Sequence, residues 1–159
     1  MLTDNNTQVS LQLPTLRREH KLLDVFVGTW IVEGQNKEGA PVAPGAQVSG
    51  KETYEWLPGE YYLVYRWDRC FGSDQHTGIG IIGYDDSSQT YASHNFDNLG
   101  YSRTYQVHIA DGSWTLTGER ERARLVFSDD GNVMTANWEI SGDGFDWTPL
   151  CELKAIKAE

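Results

Sequence analysis

The sequence predicts an all-β protein: a single antiparallel up-and-down β-barrel of about nine or ten strands, with one short N-terminal helix. From Thr29 onward, short segments rich in Val, Ile, Thr, Tyr and Trp follow one another. Turns containing Gly, Asp or Asn separate them roughly every ten residues. So many strands within 159 residues do not lie flat, because sheet twist favours closure and closure removes exposed edges.

The elements follow in order. Residues 1–13 are polar and are expected to form a flexible arm, and residues 14–159 are expected to form one barrel domain. Residues 15–27 carry apolar side chains at helical spacing, starting at Thr15 and stopping at Gly28. The predicted strands cover 29–36, 46–57, 60–71, 76–84, 90–96, 101–109, 113–127 with a break near Gly118, 132–140 and 145–157.

Charge and composition exclude several classes of partner. Thirteen basic against twenty-three acidic residues give a net charge of −10, which repels nucleic acids and anionic lipid surfaces. The N-terminus lacks the pattern of an export signal, and no apolar run approaches the ~20 residues of a spanning helix. A cytoplasmic protein is expected, with Cys70 and Cys151 reduced. A single disulfide between these cysteines and a homodimer both stay open.

The hairpin around Asp129-Asp130-Gly131 provides the first candidate ligand-binding residues. A three-residue turn places Arg122 opposite Trp138, on a face that would point into the barrel. A guanidinium among apolar walls suits an amphipathic anion, because it binds a carboxylate through two hydrogen bonds. That face carries Arg120, Arg122, Arg124, Val126, Met134, Ala136, Trp138 and Ile140. A solvated outer row of arginines is the competing interpretation.

Two more strands add candidates of the same kind. Tyr54 and Trp56 share a face and would form flat walls for a ligand or a core. On the next strand, Tyr62, Arg66 and Asp68 share a face, so Arg66 and Asp68 would form either a polar anchor in a pocket or a structural ion pair. Tyr62 and Arg66 are therefore also candidate ligand-binding residues.

Among His20, His76, His94 and His108, only His94 lies inside a strong strand pattern that ends in a defined turn. It is a candidate ligand-binding residue, and a structural histidine is the competing interpretation. In an enzyme it would be a catalytic residue that moves a proton together with Asp68 or Tyr62. No motif has metal-ligand spacing, so no metal site is predicted.

Several ordered motifs resemble a bacterial protein family of unknown function with a calycin-like, lipocalin-type barrel. They are Leu23-Asp24-Val25-Phe26-Val27-Gly28-Thr29-Trp30, Tyr54-Glu55-Trp56-Leu57-Pro58-Gly59, Arg66-Trp67-Asp68, Ile81-Ile82-Gly83-Tyr84-Asp85, His94-Asn95-Phe96-Asp97-Asn98-Leu99-Gly100, Trp114-Thr115-Leu116-Thr117-Gly118-Glu119 and Asp143-Gly144-Phe145-Asp146-Trp147. The resemblance covers about residues 16–157 and implies the barrel. Distant relatives of such barrels include fatty-acid-binding proteins and the haem-binding nitrobindins. The resemblance also implies a structural role for Trp30 at one barrel end.

Taken together, the sequence favours a non-enzymatic binding protein. Its partner would be a small hydrophobic or amphipathic, anionic ligand inside the barrel, and no cofactor is expected. An isomerase or cyclase that uses the same cavity is the first alternative. Haem or nitric-oxide binding is the second.

Overall fold

The computed structural model describes residues 12–159. Most of the predicted arm, residues 1–11, therefore lies outside the described residues. A short α-helix, α1 (Arg18–Lys21), is followed by a 3₁₀ turn (Leu22–Phe26), where one continuous helix was predicted. The strands are β1 Gly28–Asn36, β2 Gln47–Trp56, β3 Tyr62–Phe71, β4 Asp74–Asp85, β5 Thr90–Asp97, β6 Ser102–Ala110, β7 Ser113–Thr117, β8 Glu121–Phe127, β9 Val133–Ser141 and β10 Trp147–Lys157.

The strands form a closed antiparallel barrel in which each pairs with its neighbours in sequence and β1 pairs with β10. This confirms the predicted fold class. The predicted strand over 113–127 breaks as expected, with Gly118 in the connection between β7 and β8. Closure joins Ile31 to Ile156 across the first and last strands, so this sheet has no free edge.

The two ends of the barrel differ. At one end, here called the helix end, α1 and the 3₁₀ turn cover the opening. His20 of α1 is buried and packs edge-on between the rings of Tyr61 and Tyr84. Tyr91 donates a hydrogen bond to the Glu19 carbonyl at 2.7 Å. The opposite end, here called the polar end, carries the turns that follow β1, β3, β5, β7 and β9.

Trp30 ties the helix end to the barrel core. Its side chain is fully buried, and its Nε1 donates to the Phe26 carbonyl at 2.8 Å. The Phe26 ring contacts Tyr54, Trp114 and Phe127 at centroid distances of 5.0–5.4 Å. The structural role implied for Trp30 thus matches its position, because its indole closes the core beneath the helical segment.

The β8–β9 hairpin has a different register from the predicted one. Ser128 and Val133 close it around four residues, with the Ser128 N–H donating to the Val133 carbonyl at 2.8 Å. The prediction assumed three turn residues. Arg122 therefore pairs with Glu139, and Ala123 pairs with Trp138. Because side chains alternate along a strand, this shift of one residue moves every side chain of β8 to the face opposite the predicted one.

Candidate ligand-binding site

A cavity of about 180 Å³ lies inside the barrel. Its wall is mostly aromatic and aliphatic, with charged side chains toward the polar end. The apolar lining residues are Phe26, Val32, Tyr54, Tyr65, Trp67, Phe71, Ile82, Phe96, Tyr101, Tyr105, Leu116, Leu125, Met134, Ala136, Trp138, Leu150, Cys151, Leu153 and Ala155. An engineered apolar cavity of about 150 Å³ binds benzene, so this volume suits a molecule of about one ring.

A row of stacked aromatic rings forms one wall of the cavity. Phe26 stacks on Tyr54 at 5.4 Å, and Tyr54 stacks on Tyr65 at 5.1 Å with 21° between the planes. Tyr65 continues to Trp67 at 5.8 Å. This row, here called the aromatic wall, runs from the helix end toward the polar end and presents flat surfaces to a ligand.

Two glycines of β4 make the aromatic wall possible. A Cβ at Gly78 would collide with the indole of Trp67, and a Cβ at Gly80 would collide with the phenol of Tyr65. The Tyr65 hydroxyl is held by Asn95 Oδ1 and lies 2.6 Å from Ser93 Oγ. Burial raises the pKa of Tyr65 to about 12, although its hydrogen bonds with Ser93 and Asn95 act in the opposite direction. The hydroxyl is therefore neutral at physiological pH.

Asp97 organises the polar end. One carboxylate oxygen lies 3.1 Å from His76 Nε2 and 3.1 Å from Arg103 Nη1, and the other accepts the backbone N–H groups of Leu99 and Tyr101 at 3.0 Å. Its side chain is only 3% exposed. Burial opposes ionisation, but the hydrogen bonds from His76 and from the two backbone groups outweigh it and lower the pKa of the carboxyl. Asp97 thus stays charged among its donors.

Arg103 links Asp97 to a second carboxylate, Glu121. The Arg103 guanidinium lies 3.5 Å from Glu121, which also accepts the Tyr105 hydroxyl at 2.6 Å. Burial, followed by the nearby Glu121 charge, raises the pKa of Tyr105. The Tyr105 hydroxyl therefore keeps its proton and donates it in the hydrogen bond to Glu121.

A third charged group lies between the aromatic wall and the polar end. The Arg69 guanidinium pairs with Glu52, which also accepts the Tyr54 hydroxyl at 3.2 Å. Burial lowers the pKa of Arg69 to about 10, which leaves it charged at neutral pH. Two buried donors of this region, Arg69 Nε and Trp67 Nε1, have no hydrogen-bond partner among the described residues.

The cavity contains two of the seven predicted ligand-binding residues. Tyr54 belongs to the aromatic wall, and Trp138 lines the cavity beside Tyr105, with ring centroids 5.9 Å apart. Trp56 packs against the core at the helix end, where its Nε1 donates to Asp24 at 2.7 Å. Trp56 does not line the cavity.

The two predicted arginines lie on the outer surface of the barrel. Arg122 donates to Glu139 at 3.0 Å and packs over the Trp147 ring, and Arg66 pairs with Glu55 at 3.1 Å. Arg122 is outside because of the register shift in the β8–β9 hairpin. Arg66 is outside because the opposite face of β3, which carries Tyr65 and Trp67, points inward.

The residues considered for proton transfer are also on the outer surface. Tyr62 and Asp68 are exposed on β3, and the exposed His94 lies 3.3 Å from the Thr104 hydroxyl through Nδ1. Asp68 accepts a hydrogen bond from Gln75 at 3.0 Å. None of the three lines the cavity.

The charged residues that do line the cavity were not selected from the sequence. Arg69 shares a face with Tyr65 and Trp67, so side-chain alternation on β3 could have identified it. Asp97 has the appearance of an ordinary turn aspartate, and Arg103 and His76 carry no local signal. Only pairing between β4, β5 and β6 brings Asp97, Arg103 and His76 together.

Cys151 gives the interior a pH-dependent contribution to stability. Burial raises the pKa of its thiol from 9.0 to about 11. The unfolded chain therefore loses this proton first, and the stabilisation is complete below about pH 9 and is lost as the pH rises to about 11. We expect this group to lower the free energy of unfolding by about 2–3 kcal/mol over that range.

Urea denaturation between pH 8 and 11 checks this expectation. The free energy of unfolding of Cys151→Ala should fall less steeply with rising pH than that of the wild type. Cys70→Ala is the matched control, because Cys70 is a free and exposed cysteine. Equal slopes for all three proteins would contradict the role given to Cys151.

Within residues 12–159, no three side chains of His, Cys, Asp or Glu cluster as metal ligands would. None of the helices in this range is long and apolar enough to cross a membrane.

The closed barrel with its interior cavity places the protein in the class of ten-stranded, antiparallel up-and-down β-barrels. The chain belongs to the DUF1579 family of proteins of unknown function, whose family profile matches residues 15–137. No curated protein sequence matches the chain.

Solved structures of other proteins share the fold, including two that the chain covers almost completely. One is Rv2717c from M. tuberculosis, with 10% sequence identity and a TM-score of 0.65, covering 91% of this chain and 100% of that protein. The other is the S-type phycobiliprotein lyase CPES from Guillardia theta, with 9% identity and a TM-score of 0.53, covering 92% and 99%. At such identities the likeness extends to the fold alone.

Proposed function

We propose that this barrel binds a small hydrophobic or amphipathic molecule in its interior. The observation that carries the proposal is the cavity of about 180 Å³, which has the aromatic wall on one side and charged groups only toward the polar end. Water in such a space gains few hydrogen bonds from the apolar wall, so an apolar molecule displaces it favourably.

The size of the cavity defines the ligand further. Pockets for drug-sized ligands measure roughly 300–1,000 Å³, so this cavity favours a molecule of about one ring with few substituents. Haem is several times larger than one ring, so the size of the cavity favours single-ring molecules over haem. The enzyme alternative based on His94, Asp68 and Tyr62 has no support from the positions of these side chains outside the barrel.

Filling the cavity tests the proposal. Ala136 is buried in the cavity wall, and Ala136→Leu adds three carbon atoms to that space. Ethylbenzene and acetophenone are the probes. For the wild type at a hundred times the dissociation constant, we expect about 2.7 kcal/mol of stabilisation, or a rise in Tm of roughly 5–10 °C. Ala136→Leu should lose most of this rise.

Ala110→Leu serves as the matched control, because it makes the same change at the exposed end of β6. It should keep the wild-type shift. A wild type that no probe stabilises would reject the function, and an Ala136→Leu variant that keeps the full shift would place the ligand outside the cavity.

A further inference from the structure

We propose that the ligand is a neutral molecule with a carbonyl-type hydrogen-bond acceptor, which Trp67 and Arg69 of β3 bind through their free N–H groups. This inference rests on the proposed function and names the chemical class of the molecule in the cavity. Ketones, aldehydes, esters and lactones of about one ring belong to that class.

The cavity wall contains two buried hydrogen-bond donors that lack an acceptor among the described residues. Trp67 and Arg69 both line the cavity, and Trp67 Nε1 and Arg69 Nε are buried without a partner among the described residues. A buried donor without an acceptor costs about 1–3 kcal/mol, so a site that keeps two of them gains when a ligand supplies an acceptor. Both side chains lie on the inward face of one strand, two residues apart, and so face the same region of the cavity.

The carboxylates of the cavity wall already have partners. Asp97 accepts from His76, Arg103 and two backbone groups, and Glu121 accepts from Tyr105. Glu52 accepts from the Tyr54 hydroxyl through Oε2, and its Oε1 has no hydrogen-bond partner among the described residues but lies against the Arg69 guanidinium as an ion pair. A donor on the ligand would therefore compete with Arg69 for Glu52 Oε1 and with existing hydrogen bonds at Asp97 and Glu121.

The amide and hydroxyl acceptors that β5 contributes to the cavity wall also receive hydrogen bonds. Asn95 Oδ1 accepts the Tyr65 hydroxyl, and Ser93 Oγ accepts from Asn95 Nδ2 at 3.0 Å. His76 Nδ1 belongs to a side chain that is 24% exposed, so water can satisfy it. Three buried lining atoms lack a hydrogen-bond partner among the described residues: two are donors, and the one acceptor, Glu52 Oε1, already faces the Arg69 guanidinium. The site therefore gains most from an acceptor on the ligand.

The charges of the cavity wall disfavour a charged ligand. The lining contains three carboxylates, Glu52, Asp97 and Glu121, against the two guanidinium groups of Arg69 and Arg103. The carboxylates outnumber the guanidinium groups by one, and a carboxylate ligand would add a further negative charge beside them in a space of low dielectric constant. An ammonium ligand would lie close to two guanidinium groups and would compete with Arg69 for Glu52 Oε1. A neutral acceptor avoids both costs.

The geometry also orients the ligand. The Phe26, Tyr54 and Tyr65 rings of the aromatic wall continue from the helix end to Trp67. An aromatic ring placed against them directs a substituent toward Trp67 and Arg69. The apolar part of the ligand thus lies at the helix end and its carbonyl lies beside β3.

Four single-ring probes test the inference by titration calorimetry at pH 7: ethylbenzene, acetophenone, benzoate and benzylamine. We expect acetophenone to bind the wild type most tightly. Trp67→Phe removes the indole N–H and keeps an aromatic ring, and Arg69→Lys keeps the positive charge beside Glu52 and removes Nε. Each should weaken acetophenone binding roughly two- to tenfold and change ethylbenzene binding less than twofold.

Trp147→Phe is the matched control, because this indole lies outside the barrel against Arg122 and should leave all affinities unchanged. Ethylbenzene binding shows that each variant keeps its cavity. Three outcomes would overturn this inference alone. The wild type would bind ethylbenzene as tightly as acetophenone, it would bind benzoate or benzylamine more tightly than acetophenone, or Trp67→Phe and Arg69→Lys would keep the wild-type preference for acetophenone. Failure of all four probes would overturn the proposed function as well.

Discussion

Asp97→Asn is expected to lower the free energy of unfolding by about 3–5 kcal/mol, as breaking a buried charge pair does. The carboxylate is almost completely buried and pairs with His76 and Arg103 while it accepts the N–H groups of Leu99 and Tyr101. An asparagine side chain has one acceptor oxygen, so it satisfies either the backbone N–H groups of the turn or His76 and Arg103, but not both. Urea denaturation at pH 7 measures the loss.

The same variant has a pH signature. The folded-state pKa of Asp97 lies below the ordinary value of 3.8, so its stabilisation is present above about pH 4 and is lost as the pH falls through the folded-state pKa. The difference between wild type and Asp97→Asn should therefore shrink in acid. A constant difference from pH 7 to pH 2 would contradict an electrostatic origin.

Asp130→Asn provides the control for Asp97. Asp130 also accepts local hydrogen bonds, from Ser128 and the Asn132 N–H, but it lies in an exposed turn where water replaces any lost partner. We expect a much smaller change there. If both variants lost equal stability, burial of the carboxylate would not be the cause.

Trp30→Ala is expected to lower the free energy of unfolding by about 3–5 kcal/mol, the usual cost of removing a large aromatic side chain from a core. Trp30 is fully buried, and its Nε1 bond to Phe26 joins the barrel to the 3₁₀ turn that covers the helix end. The alanine leaves a void under that turn.

Trp30→Phe removes the hydrogen bond but keeps most of the buried volume. It should therefore lower the free energy of unfolding less than Trp30→Ala does, with about 1 kcal/mol of the loss due to the hydrogen bond. The control is Trp147→Ala, whose indole packs on Arg122 outside the barrel and should matter far less. Thermal and urea unfolding both measure these differences. Equal losses in Trp30→Ala and Trp147→Ala would show that burial at the helix end is not decisive.

The two faces of β3 show what the alternation of residues along a strand can and cannot predict. Alternation along Tyr62–Phe71 divides this strand correctly into two sets, with Tyr65 and Trp67 opposite Arg66. The pattern contains aromatic residues on both faces, because Tyr62 is exposed on the outside. The sequence of β3 alone therefore does not decide which set points inward.

The β8–β9 hairpin shows the other limit. The position of the turn was predicted correctly, but the predicted turn was one residue too short. That error placed Arg122 inside the barrel, whereas its side chain lies outside. Ser128 decides the register, since its hydroxyl accepts the Val133 N–H and donates to Asp130. These bonds hold four residues in the turn, where the Asp-Gly pattern had indicated three.

Local patterns by themselves determined that this chain forms an antiparallel barrel, because alternating strands and Gly or Asp turns are short-range features that close once enough strands pair. The tertiary structure decided which charged side chains line the interior: Glu52, Arg69, Asp97, Arg103 and Glu121, rather than Arg66 and Arg122. The reason is physical. A closed barrel has one inside, its direction depends on turn lengths and on pairing between distant strands, and a shift of one residue reverses it.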